Sequence, residues 1–473
     1  MKPMQPSHEP LTIDNVRQQV VGVDAQVPLL DGSQRTYVNF DNAATTPALR
    51  PVLDTVDDFL TWYSSVHRGA GFKSQLSTHV YEQTREVVLR FVGADPARYT
   101  VCYGKNATEM LNKVARGITF QPDDVVLTSL LEHHSNLLPW RGYAKVVHID
   151  MTAEGGLDEA HLDALLDAYA GRVRLVSITG ASNVTGTLTP VGRIAAKAHA
   201  AGAQICVDAA QLAPHAPITM CPANPEEEID FLVFSGHKLY APFGVGALVC
   251  RFDALDANPP GLVGGGTVRF VTPDAADWAL LPDREEAGSP NVVGAVATAK
   301  ALLCLEEIGM QAVREHECQL TAYLLERLAQ VPRVRVYGIS DPARAAEKVD
   351  VVPFAVEGMS HVLVASILSA EAGVAVRNGT FCAQPYVRRL LGLSPEQIEH
   401  DHDQVMAGSL ADLPGLIRVS FGLYNTEAEI DWFIEHLQQI VRGEYRGTYV
   451  LEPKSGDYNV QNWSPDLGAA FRL

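Results

Sequence analysis

The chain has 473 residues, more than one ordinary core accommodates, so two packed domains are expected. Hydrophobic residues make up 47% and charged residues 20%, the balance of a folded globular chain. The net charge of −19 argues against nucleic acid or an anionic membrane as the main partner. No apolar run reaches the roughly 20 residues of a membrane span, and the opening MKPMQPSHEP lacks the basic and apolar regions of a signal peptide, so a cytoplasmic location is expected. Seven cysteines without CxxC spacing point to neither a disulfide framework nor a metal site.

Residues 1–36 read as a polar lead-in arm with a short helix near Ile13 to Val21. A strand at Val38-Asn39-Phe40 runs into Asp41-Asn42-Ala43-Ala44-Thr45-Thr46-Pro47, whose small residues let backbone approach a ligand before Pro47 opens a helix. His67-Arg68-Gly69-Ala70-Gly71 is a loop carrying a base and a cation, followed by a helix over 77–92. A strand from Tyr99 to Tyr103 ends in Gly104-Lys105-Asn106-Ala107-Thr108-Glu109, and a helix begins near Glu109. Free N–H groups and the helix dipole make such a junction an anion site, with Thr108 either a further donor or simply the helix cap. The strand from Asp124 to Thr128 leads into Glu132-His133-His134-Ser135-Asn136. Adjacent imidazoles diverge and no further metal ligand stands at the right spacing, so one of them suits stacking on a flat aromatic ligand and the other a structural role.

Strands at Lys145–Ile149, Val173–Thr179 and Gln204–Val207 alternate with helices at Leu157–Tyr169 and around Val191, Ile194, Ala195 and Ala198, the rhythm of a parallel sheet. The loop Ala181 to Thr187 offers the Asn183 amide at the sheet edge. Asp208 ends an apolar strand, where a carboxylate either faces a cation or caps the next segment. Phe231 to Phe234 is another apolar strand, halted at Ser235-Gly236-His237-Lys238, and Pro242, Gly244 and Gly246 return the chain into a strand at Ala247–Cys250. A lysine held between two core strands is desolvated, loses proton affinity and attacks carbonyls as the free amine. Asp208 and Lys238 both end strands, so one crevice at the carboxyl ends of a parallel sheet can receive both.

Glycine-rich loops at 264–267 and 286–291 precede a long helical region from about Val292 to Gln330, with Ser289 just upstream of its start. From about residue 331 a smaller α+β pattern follows: strands Val334–Tyr337, Val351–Val356, Val374–Arg377 and Ile417–Gly422, and helices His361–Ala372 and Glu427–Val441. Cys102, Cys206 and Cys250 lie in apolar strands and read as core, whereas Cys382 lies on a loop with Arg377, Arg388 and Arg389 nearby in sequence, cations that favour a thiolate when close in space. Arg418, inside an apolar strand, requires an anion, either a substrate carboxylate or an internal acid. The tail over 446–473 is polar and carries no recognisable chemistry.

Along residues 37–441 the chain carries, in order, DNAATT, HRG, NATE, EHHSN, SNVTGT, VDAAQ, FSGHKLYAPFGVG, EAGSPN, CAQP and RVSFGLYNT. This set resembles the class V aminotransferase family of fold type I pyridoxal phosphate enzymes, most of all its group II cysteine desulfurases and selenocysteine lyases. The resemblance implies an α/β fold: a large pyridoxal-phosphate-binding domain (37–300) with a mainly parallel sheet flanked by helices, and a smaller α+β C-terminal domain (301–445) on which the arm packs, followed by the tail. It implies pyridoxal 5'-phosphate as cofactor, held as a Schiff base by Lys238, with Asp208 on the pyridine nitrogen and His133 stacked on the ring. Asn183 and Gln211 would stand on the phenolic-oxygen side, and Ala107, Thr108, Ser235 and His237 would hold the phosphate. Ser289 would reach the phosphate of a neighbouring subunit, which implies a homodimer with shared active sites. Arg418, with Asn183 and His67, would bind the substrate, and Cys382 would take sulfur from L-cysteine as a persulfide, leaving L-alanine. A sulfur-acceptor protein, of the kind that serves iron–sulfur cluster assembly, would follow. No metal is implied. The chain departs from the family in having Asn378-Gly379-Thr380-Phe381 where a threonine, a glycine and two histidines are usual, and Phe72 and Lys73 after HRG near the expected entrance. These departures leave open another reaction on the same cofactor, such as aminotransfer, C–S or selenocysteine lysis or epimerisation, with Cys382 incidental. A catalytically idle scaffold is disfavoured by the retention of Lys238 and Asp208.

Overall fold

Seven strands, nearly all of their residues buried, form the central sheet of the computed structural model, which describes residues 9–255 and 259–472. The first eight residues of the expected arm thus lie outside the described residues. The strands are β1 (Tyr99–Gly104), β2 (Val125–Ser129), β3 (Lys145–Ile149), β4 (Val173–Thr179), β5 (Gln204–Asp208), β6 (Phe231–Ser235) and β7 (Gly246–Arg251). Their spatial order is β1-β7-β6-β5-β4-β2-β3. From β6 to β3 every pairing is parallel, and β7 runs antiparallel to both β6 and β1. The inner strands are largely apolar because both faces of the sheet are covered there, whereas the edge strand Lys145–Ile149 is mostly half-buried. Leu232 and Phe234 enter one core together with the helices Phe72–Phe91 and Val292–Ile308, while Phe231 and Val233 enter another with the helix Ala107–Gly117.

A second sheet, of β8 (Val334–Val336), β9 (Val351–Val356), β10 (Arg377–Gly379) and β11 (Leu416–Ser420), is antiparallel in the order β8-β9-β11-β10. Phe354, Ile417 and Val419 of this sheet pack with Leu324, Leu368, Phe433 and Leu437 from the helices Met310–Ala329, His361–Ala372 and Glu427–Val441. No helix among the described residues is long and apolar enough to cross a membrane.

Several elements differ from the sequence reading. The region from Val292 to Gln330 is two helices, broken at Gly309, whose φ of 88° favours glycine. The strand expected at Val374–Arg377 is divided: Val374–Ala375 pairs in parallel with Val38–Asn39, and Arg377 starts β10. Val38 and Phe40 lie in the second sheet's core, whereas Leu302, Leu305 and Ile308 lie in that of the first, so the helix Met310–Ala329 passes from one core to the other. The helix after DNAATT starts at Arg50, with Pro51 in its first turn, rather than beside Pro47. The intervening backbone is engaged elsewhere, since Thr46 N donates to His237 O and Leu49 N to Tyr240 O. DNAATT is thereby strapped to the turn that carries Lys238.

Segments near both ends pack on the second sheet's helices, although Leu11, Val16 and Val20 of the arm enter the first core. Leu30 N donates to Ala370 O, and the Arg35 guanidinium stacks 3.2 Å from the Trp432 ring centroid. In the tail, Glu371 accepts from Arg446 N, Gly447 N and the Tyr449 hydroxyl, which seats the hairpin of Tyr449–Leu451 and Tyr458–Val460.

Candidate active site

The end of β6 sets the site. After Ser235 the chain makes a single 3-10 turn, Gly236–Lys238, before returning through Gly244 into β7. A Cβ on Gly236 would stand 2.4 Å from Thr298 Oγ1 and 3.1 Å from Gly244 Cα, so the two sides of the turn close only because both positions are glycine. Lys238, half-buried, opens into a cavity of about 250 Å³. Burial pushes its amine down to about 8; the Arg418 guanidinium adds to the effect and Asp208 and Cys382 oppose it. Asp208, ending the adjacent β5, is buried and accepts from Ala210 N at 3.0 Å. It therefore caps the following turn and lines the cavity at once. Its burial raises the carboxyl above the ordinary range, against the Ala210 bond and the Lys238 charge.

His133 follows β2. Its Nδ1 accepts from Ser135 N at 3.1 Å, which leaves the ring proton on Nε2. Burial, together with the charges of Lys238, His134 and Arg418, pushes it down to about 4, so the ring facing the cavity is neutral at physiological pH. The turn that presents it is fixed by the buried Glu132, which accepts from Asn136 Nδ2 at 2.6 Å, Thr179 N at 3.0 Å and the Ser129 hydroxyl.

The N-terminus of the helix Ala107–Gly117 also lines the cavity. Asn106, not Thr108, caps it, its side chain accepting from Glu109 N at 3.1 Å. The Thr108 hydroxyl is consequently free to bond Ser135 Oγ at 2.7 Å, and Ala107 N donates to Ser235 Oγ at 2.7 Å. A Cβ on Gly246 would lie 2.3 Å from the Asn106 carbonyl carbon, so glycine is what allows β7 to run against this helix start. With His237 at its edge, the pocket offers hydroxyls and backbone N–H groups at a helix N-terminus, a receptor for an anion.

Asn183 donates from Nδ2 to Phe381 O at 2.7 Å, and Gln211 from Nε2 to Ala43 O at 2.7 Å; Gln211 Oε1 is buried without a partner. Arg418 donates from Nη1 to Asn183 O at 3.0 Å and pairs through Nη2 with Asp41 Oδ1 at 2.9 Å, so the internal acid considered from the sequence is present. Its Nε is buried and unpartnered, and its guanidinium lies 5.0 Å from the Phe381 ring centroid. Cys382 is exposed and, like Phe381 before it, left-handed, with φ values of 54° and 51°. Of the three arginines near it in sequence, Arg377 lines the same cavity, whereas Arg389 pairs with Asp150 at 3.3 Å.

One cavity therefore collects Ala107, Thr108, His133, Asn183, Asp208, Gln211, Ser235, His237, Lys238, Cys382 and Arg418. His67 and Ser289 are not part of it. They line a second cavity, of about 560 Å³, with Arg68 and Glu286. Glu286 itself is an anchor, accepting from the Tyr81 hydroxyl at 2.7 Å, Tyr103 N at 2.6 Å and Arg85 Nη1 at 2.8 Å. Sequence reasoning missed Asp41, Asn106, Ser135 and Phe381 as parts of the site. The available signals were modest: Asp41 opens DNAATT, and an asparagine two residues after a strand is a ready helix cap.

The family model for class-V aminotransferases matches residues 38–433. A probable cysteine desulfurase of Streptomyces coelicolor is 34% identical over 444 residues, covering 91% of this chain and 97% of the relative. The cysteine desulfurase of Haloferax volcanii is 34% identical over 442 residues, covering 90% and 96%. Among solved structures, the apo cysteine desulfurase from Thermococcus onnurineus NA1 superposes with a TM-score of 0.77 at 30% identity, over 93% of this chain and 100% of that one. The cysteine desulfurase CsdA (S-sulfonic acid) from Escherichia coli gives 0.75 at 28%, over the same shares. The chain belongs to the class-V aminotransferase family.

Proposed function

We propose that the protein is a pyridoxal 5'-phosphate-dependent cysteine desulfurase that converts L-cysteine to L-alanine and takes the sulfur onto Cys382. The observation that carries this reading is that Lys238 and Cys382 line the same cavity. An amine that captures a carbonyl and a thiol that accepts sulfur thus converge on one small substrate. The cavity fits the cofactor. A desolvated lysine stands beside a buried carboxylate, a neutral imidazole faces them, the helix start at Ala107 receives a phosphate, and the orphaned Gln211 Oε1 is an acceptor awaiting a donor. When bound, pyridoxal phosphate supplies the electron sink that the reaction needs.

The chain's own residues do the rest. Arg418, which spends only two of its five N–H donors on Asn183 and Asp41, takes the substrate carboxylate. Lys238, with an amine near neutrality in proton affinity, removes and returns protons at the substrate carbons. The Cys382 thiolate forms an S–S bond to the substrate sulfur as the Cβ–S bond breaks. The pair of that bond stays with the carbon fragment, and a proton completes the methyl group of alanine. Sulfur is oxidised to the persulfide level and carbon is reduced, so no external oxidant is required. A sulfur-acceptor protein then reduces or receives the persulfide, with iron–sulfur cluster assembly as the destination and the cytoplasm as the compartment. His67 and Ser289, in the second cavity, are read as serving a second copy's site in a homodimer. Incubation with L-cysteine and a reducing thiol tests the reading: alanine and sulfide should appear in equal amounts, and Cys382→Ser should abolish both. Full sulfide release by Cys382→Ser would exclude it.

A further inference from the structure

The two adjacent histidines of EHHSN divide into different tasks: His133 lines the cavity of Lys238, and His134 bonds the loop of Cys382. His134 makes two bonds to the loop of Cys382. Its backbone N–H donates to Cys382 O at 2.7 Å, and its ring Nε2 accepts from Gln384 N at 3.2 Å. The second bond fills a gap in local structure. The helix Gln384–Leu391 starts directly after the cysteine, and its cap residue, Ala383, has no side chain able to receive a free N–H. His134, 250 residues away in sequence, supplies the missing acceptor. Burial lowers the proton affinity of the ring, and the charges of Arg141 and Arg388 lower it further, which keeps Nε2 unprotonated and able to accept. The conformation being held is one that L-residues rarely adopt twice in succession, Phe381 at φ 51° and Cys382 at φ 54°. Three contacts enforce it: Asn183 Nδ2 on Phe381 O, His134 N on Cys382 O, and the His134 ring on Gln384 N.

We propose that His134 is a positioning residue for sulfur transfer, its ring capping the helix after Cys382 and so holding the thiol over the cavity that contains Lys238. The inference rests on the desulfurase reading for its rate consequence and on the geometry alone for its structural one, so two readouts separate them. The first is amide exchange over residues 380–386 in the complete chain. His134→Ala keeps the backbone bond and removes the ring acceptor; exchange at Gln384 should accelerate about threefold to tenfold, the worth of one net hydrogen bond. His134→Gln, which restores an acceptor, should return it to near the parental rate. The second readout is the single-turnover rate of persulfide appearance on Cys382 with L-cysteine. It should fall by a similar factor in His134→Ala, with kcat reduced and KM for cysteine unchanged. Gln384→Pro removes the donor from the other side at a helix position that tolerates proline. It has no amide at 384 to read, so it should speed exchange at the remaining amides of 380–386 and lower the persulfide rate as His134→Ala does, and the double variant should be no worse than either single one. Gln384→Pro also carries the test if His134→Ala does not fold. Unchanged exchange at Gln384 in His134→Ala, together with unchanged exchange at the remaining amides of 380–386 in Gln384→Pro, would overturn the clamp. Faster exchange with an unchanged persulfide rate would overturn its role in positioning. A parent chain that forms no persulfide would overturn the desulfurase reading instead, leaving the exchange result to judge the clamp.

Discussion

At the level of single residues, the site works by denying water to charged groups. Lys238 loses proton affinity because it is desolvated, and the nearby Arg418 reinforces this, leaving an amine that titrates about where the cell's pH lies. In the cofactor-free chain, borohydride trapping of an aldehyde on Lys238 should therefore rise with pH to a midpoint near 8, whereas trapping at exposed lysines should rise only near their ordinary range of about 10.4. The sign follows from the lowered value: below it the amine is protonated and inert, above it free. A midpoint shared with the exposed lysines would show that burial does not tune this group. Lys238 and Asp208 were legible in the sequence because an ionisable group ending an apolar strand is costly without a reason. Asp41 was not, because its partner Arg418 is 377 residues away and only tertiary structure brings them together. The arginines near Cys382 in sequence could favour a thiolate only where the fold brings them close: Arg377 lines the cavity, whereas Arg389 turns to Asp150.

At the level of elements, two features hold the cavity's shape. One is the approach of β7 to the helix Ala107–Gly117, permitted by the missing side chain of Gly246. Gly246→Ala forces the Asn106 backbone away, and by the cost of overpacking a core it should destabilise the chain by about 1–3 kcal/mol. The same displacement moves the helix N-terminus, so affinity for inorganic phosphate or pyridoxal phosphate should fall with it; unchanged binding would mean that this helix start is not the anion receptor. The other is the Arg85–Glu286 pair, buried and bonded to Tyr103 N at the end of β1. Removing one member of such a pair leaves a bare charge, and Glu286→Ala should cost about 3–5 kcal/mol in chemical denaturation. Strands and helices of the first sheet were readable because fully covered parallel strands are apolar runs of distinctive length. The start of the helix at Arg50 was not, since the bonds that keep 46–49 extended come from His237 and Tyr240. Ser289 and Glu286 share one motif and one cavity, yet only Glu286 also braces the fold through Tyr81, Arg85 and Tyr103; spacing alone does not separate those roles.

At the scale of the whole molecule, the two sheets meet over a buried polar junction. His215 Nδ1 stands 3.0 Å from Glu317 Oε2 and 3.4 Å from Asp350 Oδ1, with both Asp350 oxygens lacking a hydrogen-bond donor. Burial pushes the Asp350 carboxyl up to about 7, and burial pushes the neighbouring Lys348 amine down to about 7. For an acid whose pKa rises on folding from 3.8 to about 7, stability is full below the unfolded value, falls as pH rises between the two values, and is fully lost once pH passes the folded one. Asp350→Asn should hence leave Tm nearly unchanged below about pH 4, raise it progressively between about pH 4 and 7, and hold the full gain above about pH 7; a uniform loss across this range would contradict this. The large cavity of His67 and Ser289, unconnected to Lys238 within one chain, supports the proposed homodimer, for which sedimentation should give twice the mass of 51.3 kDa. The central claim is that Cys382 receives sulfur in the cavity of Lys238. The most direct test is mass spectrometry of the Cys382 peptide after a single turnover of L-cysteine by the loaded enzyme. The account predicts one added sulfur atom on Cys382 for each alanine formed, and alanine formed without sulfur on Cys382 would contradict it.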